Sequence, residues 1–464
     1  MLDRELLKDI IKKTLSGGGD YADVFVEWKK TTFIQLEDGK IEKVVSGIDA
    51  GAGIRLIKGG KTAYAFSNDL SRGALLDVAK TLASGAGGSA SLLDLRSKTP
   101  MVDFAIKLLP ETVPMERKVA GVIAANSAAR GHDNRIRQVG VIYMDSAQRV
   151  QIVTSEGTSA SGGEEAKDER IQTVALVNVI SEANGVIQTG YESAGGLIGF
   201  ELFEESPFEE IALRAARRAV MMLGAKRVTG GRMPVVISSE AGGTMIHEAI
   251  GHGLEADLSG QGLSVYTGKK GQKVASEIVT VLDDSTLPNK RGSFRFDDEA
   301  TPAQRTVLVK DGVLVNFMYD RLSAMKEGTT STANGRRESY MHRPIPRMTN
   351  TFIAPGKTPP EDILRTTDRG LLVKKMGGGQ VNTVTGDFVF DVMEGYLIEK
   401  GKIAEPVRGA TLTGNGPQAL LSIDMVGSDI GFSIGTCGKD AQGVPVSDAM
   451  PTVRIPEMVV GGKV

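Results

Sequence analysis

Glycine constrains this chain more than any other residue. It supplies 57 of the 464 positions, about 12% where an ordinary chain has about 7%. A residue without Cβ serves tight turns and close backbone approaches, so long uniform helices are not expected to dominate. The rest of the composition is ordinary, with 41% hydrophobic and 24% charged residues. That balance excludes disorder as the main state, and the length suggests about three domains. Lys and Arg number 55 against 57 Asp and Glu, for a net charge of −2. The global basic excess of a non-specific nucleic-acid binder is absent. Cys437 is the one cysteine, which forbids an intramolecular disulfide and fits a reducing compartment. Charges interrupt the N-terminal stretch MLDRELLKDIIKKTLSGGG, so it lacks a signal-peptide core, and no apolar run reaches bilayer length. The expectation is a soluble cytoplasmic protein with no membrane or nucleic-acid partner.

Periodicity divides the chain. Leu2, Leu6, Leu7, Ile10, Ile11 and Leu15 repeat at helical spacing and predict an amphipathic helix over 2–15. Strand-like runs follow (ADVFVEW, TTFIQLEDG, KIEKVVSG, GAGIRLIKGG, KTAYAFSN), and a second helix is expected around Leu75, Leu76, Ala79 and Leu82. Residues 85–112 read as a linker, opened by Gly85, Gly87, Gly88, Ser89 and Ser91 and stiffened by Pro100 and Pro110. The order then recurs. A helix begins at Pro114 and stops at Gly131; strand-like runs follow; and Ser206-Pro207-Phe208-Glu209 reads as a capping box opening a helix that exits at Gly224. The predicted fold class is α+β. Two helix–antiparallel-strand–helix units, 1–90 and 112–226, precede a larger glycine-rich, mainly β domain, 230–464, with one or two helices.

That last region holds nearly all the candidate chemistry. His247 and His252 are two of only four histidines, and they stand five residues apart in MIHEAIGHGLEAD, with Glu248 directly after the first. The lead-in MPVVISS is strand-like, and Ser238 or Ser239 suits a helix cap. Metalloprotease histidines at i and i+4 share one helix face. At i+5, the second ring lies roughly 140° around an ideal helix from the first. Two local solutions bring both rings to one ion: a one-residue π-bulge, or a helix that loosens at Gly251 and Gly253. A surface or capping role for the pair is the alternative. Catalytic zinc takes three protein ligands and an open position. Cys437, in GFSIGTCGKDAQGVPV, is the leading third candidate because thiolate favours zinc over harder cations. His342, Glu255 and Asp257 are weaker ones, and the alternative for Cys437 is a small buried core residue. Arg336, Arg337, Tyr340, His342 and Arg343 form a basic stretch suited either to a peptide carboxylate or to an ordinary solvated loop.

HEAIGHGLEAD together with GTCGKDAQGVPV resembles the TldD/PmbA (TldE) family, in its TldD branch. RRESYMHRPIPRMTNTFIAPG, GGGQVNTVTGDFVFDVMEGYLIEKGKI and RGATLTGNGP extend the likeness over essentially the whole chain. The resemblance implies a zinc metalloprotease with an HExxxH motif, in which His247, His252 and Cys437 ligate Zn²⁺ and Glu248 is catalytic. It implies cleavage of small unfolded peptides by the active subunit of a dimer, whose partner is a second copy or a TldE/PmbA-type subunit without the metal motif. It also carries the label of gyrase modulator, so a non-catalytic regulatory or assembly protein, with a structural zinc or none, is the competing expectation.

Overall fold

A computed structural model describes residues 1–84, 94–156 and 162–462. Its N-terminal half contains helices α1 (Arg4–Leu15), α2 (Arg72–Ala83), α3 (Met115–His132), α4 (Leu202–Glu205) and α5 (Phe208–Leu223). Its strands are β1 (Tyr21–Glu37), β2 (Lys40–Lys58), β3 (Lys61–Ser67), β4 (Asp94–Ser97), β5 (Ile136–Thr154), β6 (Gly162–Ala183) and β7 (Val186–Gly196). The α+β class is as expected, but the strands of both N-terminal stretches form one seven-stranded sheet. They join where β1 runs antiparallel to β5, from Asp23 opposite Thr154 to Glu37 opposite Gly140.

Alternation along these long strands separates two faces. Ala22, Val24 and Val26 of β1 meet Leu7, Ile10 and Leu75 of α1 and α2. Ile34 and Leu36, of the same parity, meet Val122 of α3 and Ile211 of α5. Phe25, Val150 and Ile152 point the other way and pack on Phe296, Ala300 and Tyr340 of the C-terminal region. Helices therefore cover one side of the sheet and the C-terminal region the other.

Several local expectations change. Runs read as pairs of strands are single strands: ADVFVEW and TTFIQLEDG are both β1. The capping box at Ser206 does not form. Pro207 is the N-cap of α5 and makes no side-chain cap bond, while Ser206 is occupied as the C-cap of α4. Helix α3 runs through Gly131 to His132. Part of the expected linker is β4, parallel to β6; its opening residues Gly85–Ser91 lie outside the described residues. The C-terminal region holds more short helices than expected, among them Arg321–Glu327, Pro360–Arg365 and Gly416–Ser422. No helix among the described residues is long and apolar enough to cross a membrane.

Among the described residues the C-terminal region has two large sheets and a two-stranded one, Gly335–Arg336 with Ile345–Pro346. In the first, Arg369–Val381 pairs with both Gly231–Ile237 and Asp387–Glu399, and Val453–Gly461 and Thr411–Asn415 complete a closed ring. The second has six strands, ending in Gln442–Met450 and the edge strand Gly431–Lys439. The hairpin joining these last two turns at Asp440 and Ala441, both at positive φ, as a two-residue turn matched to strand twist requires. One apolar core runs between the sheets and includes Val235, Ile246, Ile250, Val444 and Cys437.

Candidate metal centre

The chain leaves the strand Gly231–Ile237 and makes a single turn over Ser239–Ala241, capped by the Ser238 side chain. Gly242 reverses direction at φ +74°, with its Cα against Ser433. A helix then starts at Thr244, and its geometry widens at once. His247–Gly251 is a π turn in which the His252 N–H donates to the His247 carbonyl. That bond spans five residues, so the i+5 spacing falls on one face. The ring centroids of His247 and His252 lie 4.9 Å apart, at 87° to one another. Of the two solutions open in the sequence, the π-bulge is the one realised. Gly251 does not loosen the helix; its dihedrals are helical. It is needed for space, because a Cβ there would meet Met348 Sδ at 2.2 Å.

Cys437 arrives from the edge strand of the second sheet, opposite Val444. The ligand atoms of His247, His252 and Cys437 all lie within 4.8 Å of one another. Cys437 Sγ is 3.7 Å from His252 Nε2. Two ligands of one tetrahedral zinc, a sulfur and a nitrogen, lie about 3.6 Å apart, so this separation fits zinc, as does a donor set of two imidazoles and a thiol. Buried His247 Nδ1 makes no hydrogen bond and faces Asp448 Oδ2 at 3.7 Å. The His252 ring presents its other nitrogen, Nδ1, to Glu255 Oε2 at 3.1 Å.

Electrostatics bind the three groups together. Burial pushes the Cys437 thiol up, but the hydrogen bonds of His247 and His252 outweigh it and bring the thiol down to about 5. Burial presses both imidazoles toward the neutral form. Cys437 reverses this for His247, and Glu255 with Cys437 reverses it for His252, so both are raised. Glu248 is half-buried beside the cluster, and burial raises its carboxyl above the usual range. It lines a pocket of about 420 Å³ together with His247, Thr244, Asp448, Lys375 and Tyr191 of β7.

The weaker ligand candidates lie elsewhere. His342 is bonded to Ser339 Oγ at 3.1 Å. Asp257 accepts from Lys439 Nζ at 2.6 Å. Glu255 stands behind His252. The basic stretch is largely structural: Arg336 donates to the carbonyls of Met348 and Pro445, Arg337 to the carbonyl of Asp298, and the Tyr340 hydroxyl to Asp49. Exposed Arg343 pairs with Asp440. Sequence reasoning missed Asp448, Lys439 and Lys375. Only Lys439, two residues after Cys437, carried a local signal.

Residues 230–462 match the model of the PmbA/TldA metallopeptidase C-terminal domain, 22–86 that of domain 1 and 108–223 that of the central domain. A metalloprotease TldD homolog of Haemophilus influenzae is 37% identical over 454 residues, covering 96% of this chain and 93% of that protein. A metalloprotease of Methanothermobacter thermautotrophicus is 35% identical over 446 residues, 96% of each chain. A Thermotoga maritima structure described as a proposed modulator of a DNA gyrase has the same fold, with a TM-score of 0.81 and 22% identity over 99% of this chain and 100% of that one. TldE from Thermococcus kodakarensis matches at 0.75 and 18% identity, over 98% and 100%. With all three family domains matched in order and relatives aligned over nearly the full length, the chain belongs to the PmbA/TldD metallopeptidase family.

Proposed function

We propose that this chain is a zinc peptidase acting on small unfolded peptides, as the active subunit of a dimer with a second copy or a TldE/PmbA-type subunit. The observation that carries it is the meeting of two imidazoles and one thiolate within 4.8 Å, with Glu248 in the adjoining pocket. His247, His252 and Cys437 would hold the zinc, and the bound ion supplies Lewis acidity to a water and to the scissile carbonyl. Glu248 takes the proton from that water and passes it to the leaving amine nitrogen. Burial lifts its carboxyl toward the range in which a base both accepts and returns a proton.

Three donors favour catalysis over a structural site, which ordinarily closes with a fourth protein ligand. Among the described residues the cluster has three. The test is Glu248→Gln, with zinc content and cleavage of unfolded peptides measured on the same preparation. Zinc content is expected to stay at the wild-type level and cleavage to disappear. Cleavage by the variant at the wild-type rate removes Glu248 from the role of base, and absence of zinc from the wild-type protein removes the metal centre.

A further inference from the structure

Two of the three donors sit on one π turn, while the third sits on an edge strand of a different sheet. Something must hold those elements in mutual register. One side chain crosses between them next to the cluster. Lys439 is two residues beyond Cys437 on the same strand, and its Nζ lies 3.1 Å from Glu255 Oε2 and 2.6 Å from Asp257 Oδ1. It also donates to the Pro346 carbonyl at 3.1 Å. The same Glu255 oxygen faces His252 Nδ1 at 3.1 Å. The connection runs Cys437 strand, Lys439, Glu255, His252, and back to the Cys437 sulfur at 3.7 Å.

Glu255 has no exposed surface. Its Oε1 has no hydrogen-bond partner, so Oε2 alone serves both the imidazole and the ammonium. A fully buried carboxylate is costly unless it is paired, and its pairing here serves the geometry around one ring. A carboxylate at Nδ1 keeps the imidazole proton on that nitrogen, which leaves the Nε2 lone pair directed at the cluster.

We propose that Glu255 and Lys439 are positioning residues for the metal centre: Glu255 fixes the orientation and tautomer of His252, and Lys439 locks the cysteine strand to it. This rests on the zinc reading of the site. Neither residue of the pair lines the pocket beside Glu248, and the pair acts through His252 and the strand.

The experiment measures zinc affinity of the full-length protein by competition with a chromophoric chelator, independently of cleavage. Removing a carboxylate behind a ligating histidine weakens metal binding by about 10- to 100-fold. Glu255→Gln is expected to show a loss in that range. Lys439→Met, which keeps the length of the side chain and removes its charge, is expected to weaken binding in the same direction. The double variant is expected to lose less than the product of the two single losses, because both act through one contact. Cobalt substitution gives a second readout: the thiolate-to-cobalt absorption should be retained in both single variants with altered ligand-field bands. Affinities of both single variants within twofold of wild type overturn the proposal and leave the peptidase reading standing. If Glu255→Gln does not fold, Lys439→Met alone decides, since it leaves no buried anion without a partner: Glu255 keeps His252, and Asp257 is partly exposed. A wild-type protein that binds no zinc overturns both this inference and the proposed function.

Discussion

Cys437 is a residue on which two forces act in opposite directions. Burial alone would hold its sulfur as a neutral thiol, as in most free cysteines in protein cores. Two imidazoles facing it reverse that preference and bring it down to about 5. Replacement by Ala removes the only thiol in the chain and leaves two nitrogen donors. Zinc retained after dialysis, measured by plasma mass spectrometry, is expected to fall to a small fraction of the wild-type content. Full retention would transfer the third position to another group. The three donors were legible in the sequence because rare residue types stand out: one cysteine, and two close histidines out of four. Their supporting shell was not. Asp448 and Glu255 are ordinary carboxylates among the 57 acidic residues, and nothing in their local sequence says that one faces His247 and the other His252. Proximity in sequence makes Glu255 a candidate ligand but does not reveal which ring nitrogen its carboxylate meets.

At the scale of the element, the π turn depends on a close approach. Met348 is fully buried against Gly251. Gly251→Ala places a methyl within 2.2 Å of its sulfur, and overpacking of this kind costs about 1–3 kcal/mol. A lower denaturation midpoint and weaker zinc binding are expected together. Met348→Ala in the same chain should restore binding by vacating the space, and failure to restore it would place the glycine requirement in the backbone instead. The sequence showed that i+5 spacing needed a distorted helix and left two distortions open. The space that demands glycine at 251 is set by Met348, nearly a hundred positions downstream, and so was out of reach of local reasoning. The same limit explains the capping box: a Ser–Glu pattern at helix-start spacing is present at Ser206, but the short helix before it already uses that serine. Strand runs were legible by alternation, whereas their fusion into strands as long as Lys40–Lys58 was not, because glycines such as Gly47 and Gly51 read as breaks while both stay in the ladder.

Across the whole molecule, charged side chains buried between regions far apart in sequence tie the sheet to the C-terminal half. Arg55 of β2 donates from Nε to Asp23 at 2.6 Å and lies 2.7 Å from Glu299. Near the pocket, Glu192 of β7 bonds Lys375 at 2.9 Å, on the strand Arg369–Val381, and Arg218 of α5 at 3.3 Å. Burial raises the Glu192 carboxyl, but Lys375 and Arg218 outweigh it and the net shift is downward. A carboxyl lowered on folding contributes stability that is present above its unfolded value, about 4.3, and is lost as pH falls through the folded one. Thermal midpoints of the wild-type protein should therefore drop on acidification below that value, and Glu192→Gln should be less stable at neutral pH with a shallower acid limb. An identical limb in both proteins would show that the contact contributes nothing. That the first two units drawn from the sequence share one sheet was not legible, because strand pairing between β1 and β5 leaves no mark on either segment.

The closed ring also orders events in time. Gly231–Ile237, which leads into the histidines, gains one of its neighbours only from Val453–Gly461, and the sulfur is made 185 residues after the second imidazole. A chain emerging from the ribosome thus carries both rings long before it has anything to complete them. If the finished molecule cuts unfolded peptides, its own half-made copies are harmless to one another, since none has a working centre until those last strands have been synthesised and threaded into place.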